Sequence, residues 1–421
     1  MKRKDFLSTC AAGLVGSAVL PRLAHAQPAA LSPWPAVNGD DERFWAFLRD
    51  QFPLSRDRAY FNTGGLGASP FAVIDAVKSK MDELEHVCET GHNEELWKSV
   101  KGSAAALLGC DATELAFMRN TTEGINVVAN GLPFKEGDEI ILTTHEHVGN
   151  ALTWMPLAKR KGLTLRRFEP STASGEENLA RISALISRRT RLIAIPHIVT
   201  STGLVLPVKE ICALAHTKGL WCFLDGAQSA GMMPFNLHDI ACDAYATSGH
   251  KWLLGPKETG LLYVRKEMLD TIMPLFVGAY SADFDFLRDF YSYERSAQRY
   301  EYGTVSIPLR YGLGAGISFI QRIGIETVWK RDRALADYLY NGLRAIPGVT
   351  VLSPLSPDLR SAMTTFMHDR LPHIEMQKHL DAYNLRTRSV TEGGLAALRI
   401  STHIYNSFEE VERVITGVRS A

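Results

Sequence analysis

The sequence predicts an α/β fold, in which a large domain with a mostly parallel sheet wrapped by helices precedes a smaller α+β C-terminal domain. Two observations lead to this fold class. Between residues 115 and 264, short apolar runs alternate with helical segments, as in sheets buried on both faces. After Pro308 the order changes to two long helices followed by alternating strands. The predicted strands of the large sheet are 115–118, 139–142, 192–195, 221–224, 244–247 and 261–264.

The chain outside this sheet divides into recognisable segments. Residues 27–59 form a predicted N-terminal arm, rich in Pro, Ala and Ser at its start and helical around 41–52. The large domain is predicted over 60–307, and Ser69-Pro70 indicates the N-cap and first turn of a helix. Its apolar face contains Ile74, Val77, Met81, Leu84 and Cys88. The small domain, predicted over 308–421, has helices at 309–323 and 326–345, strands at 361–367, 385–389 and 395–401, and a last helix capped at Asn406-Ser407.

Composition and charge exclude some classes of partner. The 421 residues are 46% hydrophobic and 22% charged, which is ordinary for a globular protein with more than one core. Lys plus Arg and Asp plus Glu each total 46, so the formal net charge is zero. Because no global basic field exists to attract nucleic acid or anionic lipid, we expect chemistry on small molecules.

The N-terminus has the three parts of an export signal. Basic residues at 2–4 precede a weakly apolar stretch over 11–20, and Ala24-His25-Ala26 offers a cleavage site. The apolar stretch is too short for a permanent membrane anchor, which needs about 20 residues. The segment 1–26 resembles a twin-arginine signal in which lysine replaces the second arginine, so export by the general secretory route stays open. A basic amphipathic first helix is the structural alternative. We expect cleavage near Ala26 and a periplasmic location.

The strongest chemical signal is a pair of residues that follow two predicted strands. Asp225 begins Asp-Gly-Ala-Gln228, and Lys251 lies in Ser248-Gly-His-Lys-Trp252. The carboxyl ends of parallel strands share one edge of a sheet, so these residues are expected near each other. A lysine amine can hold an aldehyde as an imine, and a carboxylate can keep a pyridine nitrogen protonated. Together they predict pyridoxal 5′-phosphate, whereas separately they are typical of a surface lysine and a turn.

A candidate phosphate site follows the first predicted strand. Residues 120–124, Asn-Thr-Thr-Glu-Gly, lead into an apolar helix, and a helix N-terminus with hydroxyl groups and free N–H groups suits a dianion. Thr121 and Thr122 are therefore candidate ligands, although such residues are more often helix caps. Ser248 and His250 would add donors from the loop that contains the lysine.

A histidine follows the second predicted strand, in Thr143-Thr-His-Glu-His147. The imidazole of His147 could lie flat on a pyridine ring. Histidines at i and i+2 could instead bind a metal ion, but no third ligand with a recognisable spacing follows them. We therefore predict no metal site here.

These motifs make residues 60–408 resemble the class V aminotransferases, fold-type I pyridoxal phosphate enzymes that include cysteine desulfurases, kynureninase and isopenicillin N epimerase-like proteins. The resemblance implies a fold-type I enzyme in which Lys251 holds the cofactor and Asp225 pairs with its ring nitrogen. It also implies that Gln228 contacts the phenolic oxygen and that His147 stacks on the ring. The implied phosphate ligands are Thr121 or Thr122, Ser248 and His250.

The resemblance further implies a homodimer and a substrate site. In this group a Gly-Thr pair from the partner subunit completes the phosphate site, and Gly303-Thr304 match that pair. Arg399 matches the arginine that binds the substrate's α-carboxylate, for which a planar guanidinium is well suited. Without the resemblance, Arg399 could instead be an exposed strand residue in a surface ion pair.

The sequence departs from the desulfurases at two places. They carry a nucleophilic cysteine shortly before the substrate-binding arginine, but residues 386–398 contain none, and no cysteine follows Cys242. Persulfide formation by that mechanism is therefore excluded. Where desulfurases supply an asparagine to the phenolic oxygen, this chain has Thr200, whose hydroxyl can donate one hydrogen bond. This segment and 391–395, Thr-Glu-Gly-Gly-Leu, look most like the epimerase-like branch.

We therefore expect an exported enzyme that acts at Cα of an amino acid or a peptide-like amine. Transamination, epimerisation or racemisation, and elimination share their first steps, so the sequence leaves the choice among them open. We favour aminotransferase-type chemistry, with tailoring of a siderophore (pyoverdine) side chain as one candidate role. The alternative from another class is an exported protein that binds pyridoxal phosphate without turnover, and the joint presence of Lys251 and Asp225 argues against it.

Overall fold

The computed structural model describes residues 34–88 and 94–421. The predicted export signal and the first part of the arm lie outside these residues. Within them, no helix is both long enough and apolar enough to cross a membrane. The helices are α1 (Glu42–Arg49), α2 (Phe71–Val87), α3 (Glu94–Leu108), α4 (Thr121–Gly131), α5 (Val148–Lys161), α6 (Gly175–Leu185), α7 (Val208–Thr217), α8 (Leu237–Ile240), α9 (Ile307–Ile323), α10 (Ile325–Arg344), α11 (His373–Ala382) and α12 (Phe408–Arg419). The strands are β1 (Ala59–Tyr60), β2 (Leu115–Met118), β3 (Glu139–Thr143), β4 (Thr164–Phe168), β5 (Thr190–Pro196), β6 (Trp221–Asp225), β7 (Ala244–Ser248), β8 (Gly260–Val264), β9 (Ala282–Asp285), β10 (Phe290–Tyr293), β11 (Val349–Val351), β12 (Met363–His368), β13 (Leu385–Arg386), β14 (Arg388–Val390) and β15 (Ala397–Ser401).

The large sheet has seven strands in the order β2-β8-β7-β6-β5-β3-β4. The neighbours from β7 through to β4 pair in parallel, and β8 runs antiparallel to both β7 and β2. As a result, β2, β3, β5, β6 and β7 all end at the same edge. The predicted fold class, a mostly parallel sheet wrapped by helices, is confirmed.

Burial on both faces explains why these strands form. Strands β2, β3, β6, β7 and β8 are almost entirely buried, and two separate hydrophobic clusters cover the two faces of the sheet. Continuous apolar runs are typical of strands in this position, so all six predicted strands are found.

One strand of this sheet was not predicted. Strand β4 is an edge strand with the sequence Thr-Leu-Arg-Arg-Phe, and only its last residue is buried. An edge strand with one partner needs no continuous apolar run, and charged side chains there discourage pairing with other chains. The sequence signal used for the other strands is therefore absent from β4.

The smaller sheet is antiparallel, with the order β11-β12-β15-β14. One hydrophobic cluster packs it against α10, α11 and α12. The N-terminal segment joins this part of the molecule, because β1 pairs with β13 and Asn62 forms a bridge with Ser401. The predicted strand 385–389 is divided into two short strands that are interrupted at Thr387.

Helix α2 begins differently from the prediction. Its N-cap is Pro70, and the hydroxyl of Ser69 donates to the carbonyl of Gly255 instead of capping the helix. The predicted face is also less apolar than expected, because Met81 is exposed and Cys88 lies just after the helix in a left-handed conformation. The predicted cap at Ser69 is therefore wrong, whereas Ser407 caps α12 as expected.

Helix α9 connects the two parts of the molecule. It packs against α2 and α3, with Gly312 close to Val77, and a Cβ on Gly316 would lie 2.5 Å from the carbonyl oxygen of Leu253. The first helix of the predicted small domain thus lies against the large sheet's helices. The boundaries at 59/60 and 307/308 stay predictions.

Candidate active site

A pocket opens at the edge where the parallel strands end. Strands β5, β6 and β7 end at this edge, where the rule for ligand sites in open α/β sheets predicts a binding site. The pocket is open to solvent, and about 240 Å³ of empty space, part of it solvent, lies within it. It is lined by His147, Pro196, Ile198, Thr200, Asp225, Ala227, Gln228 and Lys251.

Lys251 lies in the loop after β7 and is buried, with 7% of its surface exposed. Burial lowers its pKa to about 8, the carboxylate of Asp225 partly offsets this, and Arg399 lowers it further. No hydrogen bond between its Nζ and a described residue contributes to that pKa. An amine whose pKa is about 8 is partly neutral at physiological pH, so it can attack a carbonyl group.

Asp225 is the last residue of β6 and is also buried. Its Oδ1 accepts a hydrogen bond from the backbone N–H of Ala227 at 2.9 Å. Burial raises the pKa of this carboxyl group, while the Ala227 N–H and the positive charge of Lys251 lower it. A cationic ring nitrogen beside Asp225 would stabilise the ionised carboxylate in the same way.

His147 is the N-cap of α5, and its Nδ1 accepts a hydrogen bond from the N–H of Gly149 at 3.1 Å. The ring is half-buried at the pocket wall. Burial, followed by the charge of Lys251, lowers its pKa to about 4. His147 is therefore neutral near pH 7 and carries its proton on Nε2, a state suited to stacking on a ring.

Two of the predicted phosphate ligands, Thr121 and Ser248, come together where α4 begins. The N–H of Thr121 donates to the Oγ of Ser248 at 3.1 Å, and the two hydroxyl groups are 2.7 Å apart. Thr122 is exposed on the same first turn. His250 follows Ser248, and its buried Nδ1 has no hydrogen-bond partner among the described residues. Burial lowers the pKa of His250 to about 4.

Gln228 and Thr200 are hydrogen-bonded to each other. The amide hydrogens of Gln228 donate to the carbonyl of Gly64 at 2.9 Å and to the Oγ1 of Thr200 at 3.1 Å. The amide oxygen of Gln228 accepts from the indole N–H of Trp252. Both amide hydrogens are thus used within the protein, whereas the hydroxyl hydrogen of Thr200 stays able to donate to a ligand. The role of Gln228 at a phenolic oxygen stays a prediction.

Arg399 reaches the pocket from the smaller sheet. It is fully buried, and its NH1 donates to the carbonyl of Thr200 at 2.9 Å and to its Oγ1 at 2.7 Å. Its Nε has no partner among the described residues. Burial and the nearby Arg388 lower its pKa to about 9. The alternative of an exposed arginine in a surface ion pair is therefore wrong, because the side chain has 0% exposure and these acceptors are neutral.

Gly303 and Thr304 lie apart from the Lys251 pocket. Gly303 lines a different cavity, bounded by Arg119, Glu123 and Arg310, and Thr304 is exposed. The structure therefore does not bring them to the pocket of their own chain. Their predicted role, completion of the phosphate site in a partner subunit, is not tested by a single chain.

Sequence analysis missed a segment that the site depends on. Residues 62–67, Asn-Thr-Gly-Gly-Leu-Gly, run between the lysine loop and Arg399. A Cβ on Gly64 would lie 2.9 Å from the NH2 atom of Arg399, and one on Gly67 would lie 2.1 Å from the carbonyl oxygen of Lys251. Asn62 Oδ1 accepts from Arg399 at 3.4 Å. Three glycines in six residues were the available signal for this close backbone approach.

The unpartnered groups fit pyridoxal phosphate. Lys251 supplies an amine, and Asp225 supplies a buried carboxylate for a ring nitrogen. The free Nδ1 of His250 and the hydroxyl groups at the start of α4 suit a phosphate group. A buried polar group without a partner is costly, so the free Nδ1 of His250, next to Lys251 in the same loop, favours a bound polar ligand.

Comparison with known families matches residues 78–414 to the family described as aminotransferase class-V. The chain belongs to the aminotransferase class-V family. A curated relative, the cysteine desulfurase of Enterobacter sp. (strain 638), is 31% identical, and the match covers 88% of this chain and 97% of the relative.

Solved structures show the same fold. The cystine C-S lyase C-DES in complex with its reaction product, cysteine persulfide, superposes with a TM-score of 0.82 at 27% identity, covering 88% of this chain and 99% of that one. A C-DES mutant with glycine covalently linked to the pyridoxal phosphate cofactor gives 0.81 at 26% identity, covering 88% and 98%. These comparisons confirm the class V family and the fold, and they support pyridoxal phosphate as the cofactor. Because the curated relative is a desulfurase, the epimerase-like branch stays a prediction.

Proposed function

We propose that this class-V protein is a pyridoxal phosphate-dependent enzyme that acts at Cα of an amino acid or a peptide-like amine, with aminotransferase-type chemistry. The observation that carries the proposal is the buried pair of Lys251 and Asp225 at the carboxyl edge of the sheet. Arg399 adds a buried guanidinium for the substrate's α-carboxylate at the same pocket. These three groups together suit an α-amino acid better than a simple amine.

The residues of the pocket have distinct tasks. The bound cofactor supplies an aldehyde for amine capture and a protonated ring that withdraws electrons from Cα. Lys251 would hold the aldehyde and, when a substrate amine takes its place, its free amine would be the base that moves the proton at Cα. Asp225 would keep the ring nitrogen protonated, and the neutral ring of His147 would cover one side of the cofactor and exclude water. Arg399 would fix the substrate's carboxylate end, and Thr200 would donate its one free hydroxyl hydrogen to the phenolic oxygen of the cofactor.

A second candidate is elimination with C–S bond cleavage. The relatives reported above are a cysteine desulfurase and a cystine C-S lyase, which favours sulfur-containing amino acids. A lyase needs only the amine exchange and proton transfer that the pocket already provides. A persulfide carried on an enzyme cysteine is not part of this candidate, because residues 386–398 contain no cysteine. Epimerisation, in the manner of the isopenicillin N epimerase-like proteins, would instead return a proton to Cα on the opposite face and keep the Cβ–S bond.

Location and assembly complete the proposal. The pattern of residues 1–26 supports export to the periplasm, where a siderophore peptide such as a pyoverdine precursor is one candidate substrate. Gly303 lies at a separate cavity and Thr304 at the surface, so this pair is available to complete the phosphate site of a partner subunit in a homodimer.

The test begins with the cofactor linkage. We expect the purified protein to show the absorption of a lysine-bound cofactor that borohydride fixes covalently, and Lys251→Ala to lose this linkage. The matched control is Lys257→Ala, because Lys257 is an exposed lysine of the same loop and its loss should leave the linkage intact. A Lys251→Ala protein that still fixes the cofactor at full level would overturn the proposal.

The reaction type is read from the same sample with added amino acids. Conversion of the cofactor to its amine form with L-glutamate or L-alanine supports transamination. Hydrogen exchange at Cα without that conversion supports epimerisation, and release of sulfide from L-cysteine or of persulfide from L-cystine supports the lyase. If none of these changes occurs with any amino acid or peptide tried while the cofactor is bound, the non-catalytic alternative is correct.

A further inference from the structure

A second arginine lies beside Arg399. Strands β14 and β15 are antiparallel, and Arg388 is the direct cross-strand partner of Arg399. Directly opposed residues project from the same face of a sheet, with Cβ atoms about 4.5–5.5 Å apart. The face that carries Arg399 towards the pocket therefore also carries Arg388. Sequence analysis assigned no role to Arg388.

Arg388 is paired with a carboxylate from the adjoining loop. Its NH2 atom lies 2.5 Å from the Oε1 of Glu392, and the exposed fractions of the two side chains are 26% and 11%. The loop continues through Gly393 and Gly394, both with positive φ, and a Cβ on Gly393 would lie 2.7 Å from the ring of His145. The charges of Arg388 and Glu392 act on the pKa of both Lys251 and His147, so this partly exposed pair lies beside the pocket.

The positive charges of Arg388 and Arg399 favour binding of an anion. Like charges directly opposed on neighbouring strands destabilise a sheet unless a counter-ion lies between them. The acceptors of Arg399 among the described residues, Thr200 and Asn62, are neutral. Burial by itself would raise the pKa of Glu392, but the charge of Arg388 and the hydrogen bonds to Arg388 and to backbone N–H groups together lower it, so Glu392 is ionised and is the carboxylate that faces Arg388.

We propose that Arg388 is the specificity-determining residue that binds a carboxylate on the substrate's side chain, in exchange for Glu392. The inference rests on the proposed function and narrows its substrate class to amino acids with an acidic side chain. A diacid with one carboxylate on Arg399 would reach Arg388 with its other carboxylate, because neighbouring strand residues are only about 5 Å apart. Arg388 then acts by binding substrate, and Glu392 competes with the substrate for it.

Two variants separate this role from a structural one. If Arg388 only holds the loop through Glu392, then Arg388→Gln and Glu392→Gln both break the same ion pair and have the same effect. If Arg388 binds the substrate, Arg388→Gln weakens binding of acidic amino acids, whereas Glu392→Gln strengthens it by removing the competitor. The control is Arg370→Gln, because Arg370 is an exposed arginine of the same region with a weak ion pair to Asp369.

The experiment measures apparent dissociation constants from the change in cofactor absorption with L-aspartate, L-glutamate and L-2-aminoadipate. Each is compared with an uncharged amino acid of similar size, namely L-asparagine, L-glutamine and L-norleucine. We expect at least one acidic amino acid to bind about tenfold tighter than its uncharged counterpart in the wild-type protein, a typical gain from a charge-assisted pair. We expect the ratio to fall to about one in Arg388→Gln, to rise in Glu392→Gln, and to stay unchanged in Arg370→Gln.

A second readout does not need a reactive amine. Glutarate and butyrate differ in one carboxylate, and calorimetry should show glutarate binding that Arg388→Gln removes. Equal binding of acidic and uncharged ligands, equal effects of the two active-site variants, or a preference for L-lysine that depends on Glu392 would each overturn the inference. A protein that binds the cofactor through Lys251 but fails these tests refutes only this inference, whereas a protein without that linkage refutes the proposed function.

Discussion

At the scale of single residues, the site is defined by ionisable side chains that are buried away from solvent. Lys251, Asp225 and Arg399 are each 7% exposed or less. Isolated buried charges are costly, so their pKa values move towards the neutral forms, as the pKa of Lys251 at about 8 illustrates. Such strongly perturbed groups at one cleft indicate a reactive site rather than a structural ion pair.

The lowered pKa of Lys251 leads to a prediction about cofactor uptake. Only the neutral amine attacks an aldehyde, so the rate at which apoprotein captures pyridoxal phosphate should rise with pH up to about 8 and then level off. An unperturbed lysine would give a rise that continues to about pH 10. Stopped-flow absorption at a series of pH values measures this profile.

The cause of the shift can be tested in the same assay. Because Asp225 raises the pKa of Lys251, Asp225→Asn should move the midpoint of the profile to lower pH. Lys257→Ala should leave the midpoint unchanged. A midpoint near that of an unperturbed lysine in the wild-type protein would contradict the burial of the amine.

The residue types of the site were predictable from sequence, but their partners were not. Lys251 and Asp225 stand out because each follows an apolar strand, and strand order brings them together. Gln228 donates both amide hydrogens, to Gly64 and to Thr200, and Gly64 belongs to a segment that is distant in sequence. The proximity of Arg388 to Arg399 was not predictable either, because it results from the antiparallel pairing of their strands.

At the scale of elements, the site combines the ends of parallel strands with one glycine-rich segment. Continuous apolar runs identify buried strands, which is why the strand that ends at Asp225 and the strand that precedes Lys251 were predicted within one residue. Segment 62–67 has no periodicity, and its position is set by β1 pairing with β13 and by the N–H of Gly67 donating to the carbonyl of His250 at 2.8 Å. Sequence patterns do not specify such long-range backbone contacts.

We predict that Gly67→Ala disrupts the lysine loop. The new Cβ would lie 2.1 Å from the carbonyl oxygen of Lys251, so the backbone of one segment must shift. We expect at least a tenfold loss of cofactor affinity, measured by fluorescence or absorption titration of apoprotein. The matched control is Gly102→Ala, because Gly102 lies exposed in α3 and a Cβ added there would have no neighbouring atom within 4 Å. That change should preserve cofactor affinity and add up to about 1 kcal/mol of stability.

At the scale of the whole molecule, the pocket depends on two sheets held together. The large sheet supplies Lys251 and Asp225, whereas Arg399 arrives from the small sheet and is held by two hydrogen bonds to Thr200. Helix α9 and the bridge between Asn62 and Ser401 link these parts. Any condition that loosens this arrangement therefore removes substrate binding together with stability.

Acid should be such a condition, because several buried histidines are neutral in the folded protein. Among the described histidines whose pKa is lowered by burial, His197 is the least exposed: its ring packs against Phe235, its Nδ1 has no partner among the described residues, and its pKa falls to about 4. Unfolding exposes a histidine whose pKa is 6.5. The unfolded state thus binds more protons between these values, and stability is lost as the pH falls from about 6.5 towards 4.

For His197 alone, lowering the pH from 7 to 5 should reduce the free energy of unfolding by about 2 kcal/mol. Urea unfolding of apoprotein at both pH values should show that His197→Leu loses less stability over this interval than the wild-type protein by about that amount. Comparing the two pH values within each protein removes the packing change that the substitution itself causes. His86→Gln is the control, because His86 is an exposed histidine on α2. This variant should lose as much stability between the two pH values as the wild-type protein. Equal losses in His197→Leu and the wild-type protein would show that His197 is not what makes the fold sensitive to acid.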